Sequence, residues 1–258
     1  MGSSDFLLKK IVLFCACLLF FSPTVSAKEV KVGMGNFAPY YIADGQTGIF
    51  TDLIIAVFEK LPNYEPVFIF GYPNNRLWED FKRHKVDAVS NLFDTVEIEG
   101  CRSDPIFRFR DVAVTRASSN VTVKEIQDLE GMNIISFQGA KAFFGPEFFR
   151  IASHSNFSVA SEPRVQAQAL LDRRVDVSIG DLFIFLDNIK SHSGDDIGPE
   201  SFRFHDILPV IYSRMGFWDK QLCTDFNLAL KQVKESGEYE KIYDRYLRIL
   251  GYPSVLDQ

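Results

Sequence analysis

Apolar residues in the first half of the chain repeat at two spacings, every second residue and every third or fourth. Val30, Val32 and Met34 alternate with other residues and predict a strand, which leads into the proline-containing loop NFAPYY. Thr51 is a predicted helix N-cap, because the apolar residues after it fall on one helical face: Leu53, Ile54, Val57, Phe58 and Leu61. EPVFIF then predicts a strand, NRLWEDFKRHK a helix and VDAVSNLF a third strand. This order is typical of a parallel sheet covered by helices.

The second half of the chain repeats this plan. MNIISF and FSVASE predict strands, and AKAFFGPEFFRIA between them predicts a helix that is interrupted near Gly145 and Pro146. Pro163 opens the next helix, PRVQAQALLDRR, at a first-turn position where proline is favourable. VDVSIGDLF closes the unit as a strand. The pattern therefore predicts an α/β fold.

Two segments of the chain are nearly the same: KVDAVSNLF at 85–93 and RVDVSIGDLF at 174–183. In each, a helix ends on a basic residue and Val-Asp begins an apolar strand. We interpret them as the same structural position in two α/β lobes, although two similar strands of one continuous sheet also fit the pattern. Asp87 and Asp176, which head the strands, are interpreted as structural residues rather than ligand contacts.

The first 27 residues have the pattern of a secretory signal peptide. Lys9 and Lys10 precede an apolar run from Ile11 to Phe21, and Val25-Ser26-Ala27 supplies the small residues of a cleavage site. The run is short for a membrane span, although an uncleaved anchor remains the alternative. We expect residues 1–27 to be removed and the mature chain to be soluble and exported to the periplasm.

Charge and cysteine content narrow the classes of function. The full chain has a net charge of −6, and an acidic surface argues against nucleic acid as a partner. Cys101 and Cys223 are the two cysteines beyond the signal, and they either form one disulfide or stay free. The four histidines have no paired ligand spacing, so no metal site is predicted.

Three predicted loops at the carboxyl ends of strands have unusual chemistry, and such ends are where open parallel sheets bind ligands. NFAPYY places three aromatic residues around a proline. FQGAKAFFG has Gly139 at a strand-to-helix turn, whose N–H groups are candidates to hold an anion. SIGDLF places the carboxylate of Asp181 just past an apolar strand.

Several segments, in the right order, resemble the family-3 solute-binding proteins, the periplasmic amino-acid-binding proteins of ABC transporters. FAPYYIADGQTGIFTDLIIAVFEKL resembles the family's opening segment, LEGMNIISFQGA the entry to its second lobe, and VKESGEYEKIYDRYL its terminal helix pair. Ser103-Asp104-Pro105 matches a further family motif. The likeness covers essentially the whole chain after the signal.

The resemblance implies a two-lobed α/β fold of the periplasmic-binding-protein type, with two mixed, mostly parallel sheets flanked by helices and a ligand cleft between the lobes. Lobe one would comprise 28–114 plus 208–258, and lobe two 115–207, with RDVAVTRA and HDILPVIYSRMGF as the connections. Such proteins close on a small polar solute by hinge motion and dock on a membrane permease. Binding needs no cofactor, and nothing in the pattern asks for more than a monomer.

Family positions carry over to several residues of this chain. Phe37 falls at the aromatic that lies against the ligand, with Trp78 as a candidate for the opposite wall and Asn91 as a further contact. Asp181 matches the aspartate that pairs with the ligand ammonium. The corner whose N–H groups face the ligand carboxylate corresponds to Gly139 and Ala140, and Lys141 is a candidate charge beside it. Phe37 as a core residue and Asp181 as a helix cap remain open alternatives.

The segment NLFDTVEIEGCRSDPIF departs from the family. The arginine that grips the ligand carboxylate is replaced by Val96 or Glu99, depending on the alignment, and Arg102 is the candidate substitute. Asp94, Glu97 and Glu99 lie nearby, so a cationic ligand is an alternative to a standard amino acid.

Two other functions share this fold. An exported enzyme that resembles the periplasmic cyclohexadienyl dehydratases would need a cleft acid with a raised pKa, for which Glu97 or Asp181 is the candidate. A sensor component would present its ligand to a receptor instead of a permease. We expect the binding protein for an ABC transporter, and no enzyme.

Overall fold

The computed structural model describes residues 26–192 and 196–253, so all but the last two residues of the predicted signal peptide lie outside the described chain. The first half forms the parallel unit that its pattern predicts, in which β1 pairs with both β2 and β3. Two helices connect these strands. The elements are β1 (Lys28–Gly33), α1 (Ile49–Phe58), β2 (Tyr64–Ile69), α2 (Asn74–Lys82) and β3 (Ala88–Leu92).

Strands β4 and β5 follow in the first sheet, at Cys101–Arg102 and Phe107–Phe109, and β6 follows in the second, at Asp111–Arg116. The next segment forms a second parallel unit, in which β7 pairs with β8 and β9. Its helical part is split after Phe143, as the Gly145-Pro146 signal predicts. The unit contains β7 (Asn133–Phe137), α3 (Ala140–Phe143), α4 (Gly145–Ser153), β8 (Asn156–Ala160), α5 (Pro163–Leu171) and β9 (Val177–Asp181).

The remaining elements complete both sheets and cover the first. They are α6 (Leu182–His192), β10 (Phe202–His205), β11 (Ile211–Phe217), α7 (Lys220–Glu235) and α8 (Glu238–Ile249). Asp219 is the N-cap of α7, and its carboxylate accepts hydrogen bonds from the N–H groups of Gln221 and Leu222. Among the described residues, no helix is long and apolar enough to span a membrane.

The two sheets are mixed, and their order is β2-β1-β3-β11-β4, with β5 also on β11, and β10-β6-β9-β7-β8. They are less parallel than the resemblance implies, because β11 and β6 run antiparallel to their neighbours. The chain changes sheet at Arg110, between β5 and β6, and again between β10 and β11. The lobe limits stay a prediction. The chain first changes sheet at Arg110, four residues before the predicted end of the first segment of lobe one at residue 114.

Thr51 is not the N-cap of α1, contrary to the prediction. The N-cap is Gly48, three residues earlier, whose φ of 119° is accessible to glycine without strain. The N–H of Gly48 donates to the hydroxyl of Tyr246 at 2.8 Å, so helix α8 holds the start of α1. Tertiary contacts therefore set this boundary, and Thr51 is buried inside the first turn.

The repeated segments form equivalent strands with equivalent anchors. Asp87 Oδ2 accepts from the Lys31 N–H at 2.8 Å, and Asp176 Oδ2 accepts from the Asn133 N–H at 2.9 Å. In both units the backbone N–H of the aspartate also donates back to the carbonyl of that same partner. Each aspartate thus fixes its strand against the first strand of its own unit, which is the structural role predicted for it.

Cys101 and Cys223 form a disulfide, which ties β4 to α7 across 122 positions of sequence. The sequence left this pairing open. The half-cystine Cys223 is fully buried, in the core that α7 and α8 form with α1. The bond therefore holds the short edge strand β4 to the helical layer of the first sheet.

Candidate functional site

A cavity of about 190 Å³ lies between the two sheets, where β3 and β9 end. We call it the central cavity. The first sheet and its loops contribute Phe37, Asn91, Phe93 and Phe109, and the second contributes Phe137, Gln166, Gly180 and Asp181. The other lining residues are Asn74, Asp111, Phe143, Pro163, Ile184 and Phe185.

Six phenylalanine rings make up most of the cavity wall. The ring of Phe93 packs on Phe109 with centroids 5.8 Å apart and meets Phe143 edge-on at 6.1 Å. Phe143 in turn meets Phe137 at 5.5 Å. Phe93 follows β3 and Phe143 belongs to α3, so these contacts join elements of the two sheets across the cavity. The wall offers apolar area and the faces of aromatic rings to a ligand.

Asp181, at the end of β9, is the most heavily hydrogen-bonded carboxylate of the cavity. Its Oδ2 accepts from the Tyr40 hydroxyl at 2.7 Å and from the Arg110 N–H at 3.1 Å, and its Oδ1 accepts from the Ile184 N–H at 3.0 Å. Burial raises the pKa of Asp181 to about 6, although these hydrogen bonds act in the opposite direction. Asp181 therefore caps α6, one of the two predicted alternatives, and also lines the cavity, while its pairing with a ligand ammonium stays a prediction.

Asp111 places a second carboxylate beside the first. It begins β6, where it lies directly opposite Asp181 in an antiparallel pair, and Cα atoms of such pairs are about 5 Å apart. Only 6% of Asp111 is exposed, and its Oδ2 has no hydrogen-bond partner among the described residues. Burial, and then the charge of Asp181, raises the pKa of Asp111 well above its ordinary value. The cavity thus holds two carboxyl groups that cannot both ionise without cost.

Asn91, at the end of β3, is a neutral residue with its hydrogen bonds already made. Its Nδ2 donates to Asn74 Oδ1 at 3.1 Å, and its Oδ1 accepts from the Ser213 hydroxyl at 2.8 Å. Its φ of 54° is left-handed, a conformation that asparagine adopts more readily than most residues. Asn91 lines the cavity as predicted, in a rigid orientation.

Arg102 lies elsewhere than its predicted role requires. Its side chain donates to the carbonyl oxygen of Phe93 at 3.1 Å and also to that of Val96. The guanidinium therefore orders the loop after β3, and it does not line the central cavity. The other nearby arginine, Arg214, pairs with Asp94 at 2.7 Å. Neither replaces the family's carboxylate-binding arginine in this structure.

Trp78, Gly139, Ala140 and Lys141 also do not line the central cavity. Trp78 lies behind the wall, where its Nε1–H donates to the Asn91 carbonyl at 3.2 Å. Ala140 is buried in the core of the second sheet, and the Lys141 ammonium lies 4.8 Å from the centroid of the Phe157 ring. The left-handed turn at Gly139 leads into α3, which has only four residues. The expected anion-binding corner is therefore outside the cavity.

Sequence reasoning missed Asp111, Phe109 and Gln166. The signal for Asp111 was present, because it is the one charged residue at the start of the apolar stretch DVAVT and therefore a candidate buried charge. Phe109 has no such signal among 25 phenylalanines. The predicted acidic residues Glu97 and Glu99 lie outside the central cavity, in a separate surface depression beside Trp218.

No group of three or more His, Cys, Asp or Glu residues in the described chain is placed to hold a metal ion. The polar side chains of the central cavity are instead two carboxyl groups and three amides, in a wall that is otherwise mostly apolar. Such an arrangement is suited to binding a small organic molecule in a fixed orientation.

Comparisons with known proteins agree with this geometry. The family model of bacterial extracellular solute-binding proteins, family 3, matches residues 30–249. An arginine-binding periplasmic protein of Mannheimia haemolytica is 27% identical over 237 residues, which cover 87% of this chain and 93% of that protein.

Solved structures share the fold. A probable amino-acid ABC transporter extracellular-binding protein of Bacillus subtilis superposes with a TM-score of 0.70 at 19% identity, over 86% of this chain and 98% of that one. The L-cystine solute receptor of Neisseria gonorrhoeae, in an unliganded open conformation, gives a TM-score of 0.66 at 20% identity, over 86% and 93% of the two chains. The chain belongs to the bacterial extracellular solute-binding proteins of family 3.

Proposed function

We propose that this protein is exported through cleavage of residues 1–27 and captures a small polar solute, an amino acid or related compound, for an ABC permease. The observation that supports this most is the position of the central cavity, whose wall comes from both sheets. A solute bound there contacts both lobes and favours the closed arrangement, which is the form that a permease can distinguish. The proposed lobes are 28–114 plus 208–258 and 115–207, acting as a monomer.

Phe37, Asn91 and Asp181 are the proposed ligand contacts among the residues carried over from the family. Phe37 is half-buried, and its ring meets that of Tyr41 edge-on at 5.2 Å, which holds it at the cavity. Asp181 supplies the charge and Asn91 a fixed amide. Trp78 and Arg102 support the site from outside, through the carbonyls of Asn91 and Phe93.

A thermal-shift screen of residues 28–258 against amino acids, polyamines and small carboxylic acids tests this proposal. A solute at a hundred times its Kd adds about 2.7 kcal/mol to the free energy of unfolding, which shifts Tm by several degrees. Phe37→Ala should reduce the shift, because it removes part of the wall. A screen in which no small molecule raises Tm would contradict capture of a solute.

A second candidate, an exported enzyme on the same fold, is favoured by one observation. The raised pKa of Asp181 is what a general acid requires at neutral pH, and Asp111 lies beside it. Glu97, the other predicted acid, lies outside the cavity. Recovery of a binding compound unchanged after prolonged incubation would exclude this candidate, whereas a new product would establish it.

A further inference from the structure

The charges that line the central cavity are all of one sign. Asp111 and Asp181 are acidic, and none of the other lining residues is Lys, Arg or His. The nearest arginines on the far side of Asp111 are already paired, Arg108 with Glu240 at 2.9 Å and Arg110 with Asp206 at 2.8 Å. A ligand therefore meets an excess of negative charge in a wall that is otherwise apolar.

The free oxygen of Asp111 points to a missing partner. A buried carboxylate oxygen without a hydrogen bond is unfavourable, and such atoms are rare in folded proteins. Asp181 does not supply the donor, since it is itself an acceptor for three hydrogen bonds. A cation that donates several hydrogen bonds would satisfy Asp111 Oδ2 and remove the repulsion between the two carboxylates.

We propose that the ligand of the central cavity is an amine without a carboxylate, whose ammonium lies between Asp111 and Asp181 and whose apolar body packs on the phenylalanine rings. An ammonium has three donors, which match two carboxylates facing each other across an antiparallel pair. The rings add cation–π attraction in the same largely apolar cavity. This inference rests on the proposed capture of a small solute, and it names the chemical class of that solute.

Size agrees with a compact body. An apolar cavity of about 150 Å³ is known to accept benzene, so about 190 Å³ takes a phenyl ring with a short ammonium arm. An α-amino acid with the same aromatic side chain carries a carboxylate in addition to the ammonium. Binding of that carboxylate would be unfavourable, because the wall is largely apolar and already holds two carboxyl groups. The donors among the lining side chains are amides, and the amide of Asn91 already donates to Asn74.

Three compounds with one skeleton test the proposal by calorimetry and thermal shift on residues 28–258 at pH 7.5. 2-Phenylethylamine has the ammonium alone, L-phenylalanine has both charged groups, and 3-phenylpropionate has the carboxylate alone. We expect 2-phenylethylamine to bind at least about 10-fold more tightly than L-phenylalanine, and 3-phenylpropionate not to bind. The twenty standard amino acids are screened beside them.

Asp111→Asn tests the new contact. We expect it to weaken 2-phenylethylamine about 10- to 100-fold, the range for a hydrogen bond to a charged group. The same variant should raise the Tm of the unliganded protein, because it removes a buried charge, and a purely structural residue would not give these opposite effects. Glu97→Gln is the matched control, since it removes one negative charge outside the cavity and should leave the affinity unchanged.

The outcomes separate the inference from the function on which it rests. Tight binding of a standard amino acid with no binding of 2-phenylethylamine would overturn the amine inference and leave solute capture intact. Absence of binding by every amine and amino acid to a protein that circular dichroism shows to be folded would overturn both. Unchanged amine affinity in a folded Asp111→Asn protein, checked by circular dichroism, would also contradict the proposed contact.

Discussion

The ends of β3 and β9 belong to two nearly identical segments of sequence, but one presents a neutral amide to the central cavity and the other a carboxylate. β3 reaches it with Asn91, a neutral amide bonded to Asn74 and Ser213. β9 reaches it with Asp181, a buried carboxylate beside the carboxylate of Asp111. The starts of the two strands, Asp87 and Asp176, make matching hydrogen bonds. The repeat therefore preserves the anchor at the start of each strand, and the two strands differ at the ends where we propose that the ligand's charge is selected.

The largest expected effect comes from making both strand ends neutral. Asp181→Asn should weaken 2-phenylethylamine about 100-fold or more, because a buried charged acceptor is lost while the cap of α6 keeps an oxygen acceptor. Isothermal titration calorimetry measures the change. Asp176→Asn, the same substitution five residues earlier in the same segment, is the control and should bind normally. Unaltered affinity in Asp181→Asn would show that the carboxylate at the end of β9 does not bind the ammonium.

A pH series should show the second-largest effect. The raised pKa values of Asp111 and Asp181 favour their protonated forms in the folded state. The stability they contribute is therefore complete below about pH 4, the value for an unfolded chain, and is lost as the pH rises through their folded pKa values. Urea unfolding of the unliganded protein should give a lower free energy at pH 8 than at pH 5.

Asp111→Asn isolates this effect from other titrating groups. Tyr40 stays neutral because burial raises its pKa, Arg108 and Arg110 stay charged in their ion pairs, and the depressed pKa of His205 is common to both proteins. The variant should exceed the wild type by at least about 1 kcal/mol at pH 8 and by almost nothing at pH 4. An equal difference at both pH values would show that charge is not the cause.

Asn91→Asp makes the two strand ends alike by placing a carboxylate at the end of β3 as well. The substitution replaces an amide that donates to Asn74 Oδ1 by a second acceptor, and it should lower the free energy of unfolding by about 1–2 kcal/mol. The left-handed backbone is not the reason, since aspartate tolerates it nearly as well as asparagine. Urea unfolding at pH 7 measures the change, and no loss of stability would show that the Asn74 bond is dispensable.

The smallest effects are expected at the strand starts. Asp87→Ala and Asp176→Ala should each lower the free energy of unfolding by about 1 kcal/mol, with Asp176 somewhat larger because it also accepts from Asn133 Nδ2. Neither should change the affinity for a ligand. A selective loss of binding in either variant would mean that the anchor of the strand also sets the geometry of the cavity.

The sequence predicted the elements of both units because their patterns are local. The period of the apolar residues identifies the strands and helices, and Gly145-Pro146 marks the break between α3 and α4. The sequence-based prediction was wrong at the start of α1, because Gly48 and its hydrogen bond to the distant Tyr246 set that boundary. Phe37, Asn91 and Asp181 reach the cavity as expected, since each follows directly from a strand end or its loop.

The other charged residues were harder to predict than Asp181. Arg102 and Lys141 lie close in sequence to residues that line the cavity. The direction of each side chain, however, depends on packing that no local pattern encodes. Asp111 reaches the cavity because the chain changes sheet at Arg110 and β6 then pairs with β9. That contact joins residues seventy positions apart, and only the sheet order brings it about.

Calorimetry of 2-phenylethylamine binding in two buffers of different ionisation enthalpy, at pH 6, tests directly whether an ammonium group binds between Asp111 and Asp181. The amine is fully protonated at this pH, and its positive charge should lower the pKa values of Asp111 and Asp181, so that binding releases protons to the buffer. We expect binding with net proton release, and in Asp111→Asn, where Asp181 is the remaining source of these protons, a smaller release together with the loss of most of the affinity. Absence of binding, or binding without proton release, would contradict this expectation.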